Sequence, residues 1–380
     1  MRMSLRSGGA PHVLMTADAV GGVWQYSLDL ARGLGAEGFR VTLAVLGPPP
    51  SPAQVAAAGA AEAEAGFGPR LVATGLPLDW TAETPEAVIE TGRALGRLAR
   101  ALGADLVHLH GPAYAAAGGF EVPVVAVCHS CVGTWWDAVI GGPLPADLSW
   151  RHDLTTRGCL AADALLAPTR AFAEAVRRVH ALPAAPVAVH NGRRPHRIAR
   201  DAAPAAGAVT AGRLWDRAKN AAGLDRIAGR IATPILAAGP TEGPTGERIA
   251  LTHLRALGHL DGAAMAGILS GRPLFVSLAL YEPFGLAVLE AAQAGCPLVL
   301  SDLPGFRELW DGAALFVEAA DEAGAAAAIE ALAADPPRRR ALGDAARQRA
   351  ERYGVEAMIA GVRDLHRTLL RTAAAAEAAA

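Results

Sequence analysis

Two glutamates with seven residues between them, Glu282 and Glu290, stand in the segment EPFGLAVLE. A carboxylate accepts two hydrogen bonds side by side, so each could hold a vicinal diol. Between them the pattern predicts a helix start. A strand ends near Ala279, Pro283 occupies the first turn, and Gly285 lets a ligand approach the backbone. The free N–H groups near Phe284, Gly285 and Leu286 would face phosphate oxygens, aided by the helix dipole. A ligand with a sugar and a ribose on either side of a diphosphate presents two diols with an anion between them. The simpler alternative makes Glu282 an N-terminal charge and Glu290 a solvated helix residue. It is weak for Glu290, because the helix around it is otherwise apolar.

A second signal is compositional. Of 35 basic residues only Lys219 is a lysine, and its neighbour Asn220 is one of two asparagines, with Asn191. Against an arginine- and alanine-rich background such residues stand out. The stretch GRLWDRAKN (212–220) follows a strand ending at Gly212 and precedes a helix expected from about Lys219. That places Arg213 and Lys219 at the carboxyl edge of a sheet. The competing reading is chance retention on a helix surface. Asn220 either caps the helix or simply follows the motif. A third feature is the strand-to-helix loop at Gly21 and Gly22, where the backbone could approach a phosphate or an acceptor. It lacks the G-x-G-x-x-G fingerprint, which argues against a dehydrogenase.

The elements that must position these residues alternate. Apolar runs at 12–16, 40–47, 104–110, 122–129, 163–168 and 186–192 predict strands, with helices at 22–35 and 84–102. After a Pro/Ala-rich connector at 201–208 the series restarts with strands at 208–213, 233–239, 273–279, 296–302 and 313–317. Continuous apolar strands separated by helices imply parallel sheets covered on both faces. The expected fold is α/β: two Rossmann-like parallel-sheet domains facing a central cleft, with ligands outside the carboxyl ends of the strands. The expected domains are 1–195 and 207–354. A C-terminal helix over 355–380 packs back on the first domain, and the alanine tail after 372 frays.

The segment EPFGLAVLE, set in this two-domain pattern, resembles the retaining family 4 glycosyltransferases of GT-B fold (glycosyl transferases group 1). One departure is Leu278–Ala279, where the family often has Pro-Ser. The resemblance implies donor-sugar contact for Glu282 and ribose contact for Glu290. It implies that Arg213 and Lys219 hold the diphosphate, and that the Gly21–Gly22 loop and His129 lie near the donor. It sets Glu308 beside the nucleotide, or else as a helix cap. Trp24 could shape the acceptor side, and Trp135 and Trp136 could stack on an acceptor sugar or pack between domains.

The expected function is transfer of a sugar from a UDP- or GDP-linked donor to a glycan, lipid-linked or small-molecule hydroxyl, with retention of configuration. No cofactor and no metal are expected, and the chain has no Asp-x-Asp. Closure about a hinge at 195–206 would accompany donor binding. The alternatives are a non-catalytic nucleotide-sugar-binding protein, a GT-B epimerase, or a phosphorylase using Lys219 to hold its cofactor.

A net charge of −2 provides no field for nucleic acid. The basic run NGRRPHRIAR (191–200) is expected to be a solvated linker rather than a lipid- or phosphate-contacting patch. Cys128 and Cys131 form a C-x-x-C around His129, but no second pair supports a zinc site. The favoured reading is buried, reduced thiols, together with Cys159 and Cys296, and the minor one is a redox motif. The N-terminus lacks a leader-like apolar core, and no apolar run is long enough to span a membrane. A cytoplasmic location follows, with peripheral contact at the inner membrane face left open.

Overall fold

Runs such as HVLMTAD and RVTLAVL are apolar on both faces, as strands sandwiched between helices must be. The computed structural model describes residues 9–65, 68–199 and 202–379. The N-terminal segment weighed above as a leader falls largely outside these, as do two residues of the connector region. The chain divides into two compact units. The first takes the residues up to Asp137, Gly141–Gly192 and the stretch from Val355; the second is Arg193–Gly354, with Ala138–Ile140 grouped with it.

In the first unit the order is β1 (His12–Asp18), α1 (Gly22–Ala36), β2 (Arg40–Leu46), α2 (Pro52–Ala65), β3 (Arg70–Ala73), α3 (Pro85–Leu102) and β4 (Leu106–Leu109). Then come β5 (Val124–Val127), α4 (Val132–Val139), α5 (Ala146–Ala161), β6 (Ala164–Ala167), α6 (Arg170–Val179) and β7 (Val187–Ala188). The seven strands pair in parallel in the order β3-β2-β1-β4-β5-β6-β7. Strand alternation sends Val13, Met15 and Leu106 to one face and Leu14 and Val107 to the other, each into its own core.

The second unit runs β8 (Ala208–Ala211), α7 (Ala221–Ala228), β9 (Ile235–Ala238), β10 (Arg255–Gly258), α8 (Gly262–Ser270), β11 (Leu274–Ser277) and α9 (Leu286–Gln293). It continues with β12 (Leu298–Ser301), α10 (Pro304–Trp310), β13 (Leu315–Val317), α11 (Glu322–Ala333) and α12 (Pro336–Ala350). Its six strands are also parallel, in the order β10-β9-β8-β11-β12-β13. Both sheets therefore share one winding, with the order reversing beside the first strand of each. The last helix, α13 (Val355–Ala378), belongs to the first unit, where Met358, Ile359 and Val362 enter the core beside α1.

Two edge strands were not expected from the sequence. β3 and β10 are short and largely uncovered, so they lack a continuous apolar run. The alanine tail expected to fray after 372 is helical to Ala378, in keeping with alanine's helix propensity. No helix among the described residues is long and apolar enough to cross a membrane.

Candidate functional site

In the second unit β8 hands over to a tight loop. Gly212 passes so close to Gly239 that a Cβ at Gly239 would sit 1.8 Å from the Gly212 oxygen. Only glycine tolerates this contact, and φ at Gly239 is +134°. Residues 217–219 then form one 3₁₀ turn, fixed by the Asp216 carboxylate, which accepts from the Ala218 amide at 3.0 Å. Asn220 follows at φ 52°, in the left-handed region. The helix expected from Lys219 therefore starts two residues later, at Ala221, and the Asn220 side chain does not cap it. Asparagine is among the few residues that accept this backbone conformation readily.

This turn sets Lys219 toward the loop after β11. The Ala218 carbonyl accepts from the Leu280 amide at 2.8 Å, tying the two segments together. Lys219 Nζ lies 2.5 Å from Glu282 Oε2, with both side chains largely covered. Arg213 donates to Asp216 at 3.0 Å and lies over the Trp215 ring, with 40% of its side chain exposed. Its Nε is buried without a partner.

The helix after Glu282 begins at Leu286, so Pro283 lies in the loop before it rather than in its first turn. Gly285 precedes the helix at φ 89°, a conformation that favours glycine. Phe284 is buried in the core, which anchors this loop from below. Val288, Leu289, Ala291 and Ala292 bury the rest of α9, and Gly295, at φ 80°, ends it.

Glu290 is not solvated. Arg193 Nε donates to its Oε1 at 2.8 Å, and His196 Nε2 lies 3.4 Å from its Oε2. Burial favours the neutral acid, but His196 and Arg193 outweigh it and hold the carboxyl below the usual range. Gln293, one turn on, donates to the Arg193 carbonyl at 2.9 Å. The basic run 191–200 is thus no solvated linker in its first half, where Arg193 and His196 turn inward. Sequence reasoning missed both as site residues. The only signal was the Asn191–Gly192 pair ahead of them. Glu308 lies within α10 rather than capping it.

In the first unit, His129 follows β5 and His110 follows β4. His110 Nδ1 and His129 Nε2 are 2.9 Å apart. Tyr26, from α1, meets both rings edge-on at 5.2 and 4.8 Å. Burial holds His129 down to about 4, so it is neutral near pH 7. Gly21 is extended, at φ −142°, and Gly22 opens α1; neither needs a positive φ. Trp24 does not stand free to shape an acceptor site, because it is buried in the core with Leu28 and Leu43. Trp135 and Trp136 lie half-buried on α4. Asp79, which the sequence did not flag, has its carboxyl raised to about 6, chiefly by burial.

Comparison with known proteins identifies the architecture. Residues 20–197 match the family model described as Glycosyltransferase Family 4, and residues 246–349 match Glycosyl transferases group 1. A stretch of 97 residues is 41% identical to glycogen synthase of Mycobacterium tuberculosis, covering 25% of this chain and 23% of that protein. Among solved structures, sucrose-phosphate synthase from Thermosynechococcus elongatus superposes with a TM-score of 0.75 at 19% identity, over 95% of this chain and all of the other. Anabaena HepE, solved with UDP-glucose, gives 0.70 at 16% identity, over 94% and 99% of the two chains. With matches to both models covering most of its length and a GT-B architecture, the chain belongs to the family 4 glycosyltransferases.

Proposed function

We propose that the chain transfers a glycosyl group from a nucleoside-diphosphate sugar to an acceptor hydroxyl, with retention of configuration and without a metal. The observation that carries this reading is the Lys219–Glu282 pair beside the head of α9. It sets a cation, a diol-binding carboxylate and free helix amides within one loop system. The family match supports the reaction class, and HepE's complex with UDP-glucose favours a UDP-linked donor.

In the absence of donor, Lys219 and Glu282 neutralise each other. A bound donor exchanges these partners: its diphosphate takes Lys219 and Arg213, and its sugar hydroxyls take Glu282. The unpartnered Arg213 Nε is a donor awaiting such an acceptor. The Gly285 and Leu286 amides add the helix dipole on the same phosphates. Each Glu290 oxygen faces one basic neighbour, so lone pairs remain for the ribose hydroxyls. As the anomeric carbon–phosphate oxygen bond breaks, negative charge gathers on the diphosphate, where fixed cations and amides stabilise it. The acceptor oxygen bonds to the same face of the anomeric carbon, and its proton passes to the departing phosphate.

The test is a panel of UDP-, GDP- and ADP-sugars, read by nucleoside-diphosphate release and by NMR of the product anomer. The expected result is slow hydrolysis or transfer with one base and an unchanged anomer. Thermal protection without any turnover would mean a binding protein, and an inverted product would refute retention.

A further inference from the structure

The Cys-x-x-Cys at 128–131 lies outside the machinery proposed above, and its surroundings are organised. Cys131 sits at the head of α4: its carbonyl accepts from the Trp135 amide at 2.9 Å, and its Sγ lies 3.4 Å from the Thr134 amide. Thr134 Oγ1 is 3.1 Å from the same sulfur. His180 Nε2 lies 3.2 Å away on another side. The other ring nitrogen, Nδ1, is 2.7 Å from Thr156 Oγ1, while that hydroxyl donates to the His152 carbonyl at 3.0 Å. A hydroxyl whose proton is so used accepts from His180 Nδ1–H. His180 Nε2 therefore offers its lone pair to the Cys131 thiol. The His152 ring stacks on His180 at 4.5 Å and holds this geometry. Of the four cysteines, Cys131 alone is only half-buried, while Cys128, three residues before it, is fully buried with its thiol directed to the Ser130 carbonyl at 3.8 Å.

We infer that Cys128 and Cys131 are a redox-active dithiol, with Cys131 the nucleophile, His180 its base and Cys128 the resolving thiol. The Cys131 proton passes to His180 Nε2. The thiolate attacks a peroxide, breaking the O–O bond and releasing hydroxide, and Cys131 becomes a sulfenic acid. The Cys128 thiol then attacks that sulfur, and water leaves as the disulfide forms. The two thiols supply the two electrons that reduce the peroxide.

The charges around Cys131 agree with this assignment. The neighbouring Cys128 thiol, with help from His180 and Thr134, holds the Cys131 thiol well below the ordinary value against the effect of its partial burial. The facing groups are otherwise His152, Asp79 and Cys159, and burial pushes the Cys159 thiol up to about 12. Because His129 lies inside the ring the disulfide would close, oxidation restrains the histidine that the family resemblance sets near the donor. That consequence rests on the proposed transfer activity, but the chemistry itself does not.

The experiment treats the full chain with hydrogen peroxide and follows intact mass, and separately labels the reduced protein with iodoacetamide at pH 6.5. The expected results are loss of two hydrogens, reversed by dithiothreitol, and labelling of Cys131 at least tenfold faster than of Cys159 or Cys296. Cys128→Ser should form a dimedone-reactive sulfenic acid at Cys131 and no disulfide. Labelling of Cys131 no faster than of the buried thiols, or peroxide-treated protein that keeps both thiols free, overturns the assignment. Loss of donor turnover in the reduced enzyme would count against the transfer reading alone.

Discussion

The two units share a sheet winding but equip the carboxyl ends of their strands differently. The second unit uses fixed, compensated charge: Lys219 with Glu282, Arg213 with Asp216, and Arg193 and His196 with Glu290. The first uses buried neutral rings and thiols. His108 Nδ1 lies 2.9 Å from His366 Nε2, His110 lies 2.9 Å from His129, and the His108 and His110 rings are 4.9 Å apart. The same topology thus supports two electrostatic strategies. A site that must stabilise a leaving dianion needs cations already in place. Under the proposed transfer, the first unit would receive a neutral hydroxyl, which needs no such charge.

Acid should separate the units most strongly. Burial, reinforced by neighbouring histidines, holds His108 and His110 well below 6.5, and burial alone holds His129 to about 4 and His366 to about 3. Depressed histidine values mean the unfolded chain binds more protons than the native one. Their contribution is therefore complete above about pH 6.5 and is lost as pH falls through the folded values, at ~1.4 kcal/mol per histidine per pH unit. Asp79, raised to about 6, opposes this in part. In the second unit Glu290 and Asp225 are held below the carboxylate range, so their contribution fails only at lower pH. Hydrogen exchange resolved to peptides at pH 7.5 and 5 should show β4 and β5 losing protection while β11 and β12 keep theirs. Equal loss in both units would break the contrast.

Lys219→Met should lower turnover about a hundredfold, as loss of a charge-stabilising donor does, with the melting temperature little changed. Lys219→Arg should still lose well over tenfold, because a planar fork does not replace a compact ammonium. Steady-state rates check both, and a near-normal Lys219→Arg would remove the lysine's special standing. Glu290→Gln should cut turnover by well over tenfold and also cost ~2 kcal/mol in urea unfolding, since it leaves Arg193 and His196 without their anion. The smallest effect is expected at Asn220. Replacement by alanine should cost ~1 kcal/mol of stability at its left-handed φ, and replacement by glycine very little.

What the sequence made legible follows from range. The interior strands announced themselves as apolar runs, and EPFGLAVLE and the single lysine marked the loops that the structure joins through the Lys219–Glu282 pair. Edge strands β3 and β10 carry no such run. Asn220 was conspicuous by rarity, but its left-handed turn depends on the 3₁₀ segment before it. Arg193 sat in a run that looked like a linker, and its partner is 97 residues away. His108 and His366 are 258 residues apart, and nothing local in either segment announces their contact. Packing brings such pairs together, and no local pattern encodes it.

The central claim is that the departing diphosphate is held by Lys219, Arg213 and the amides at the head of α9. A crystal structure with UDP or GDP tests it most directly. The β-phosphate should lie within hydrogen-bond reach of Lys219 Nζ, the Arg213 guanidinium and the Gly285 or Leu286 amide, with Glu282 released from the lysine. A nucleotide bound elsewhere, with the Lys219–Glu282 pair intact, would contradict it.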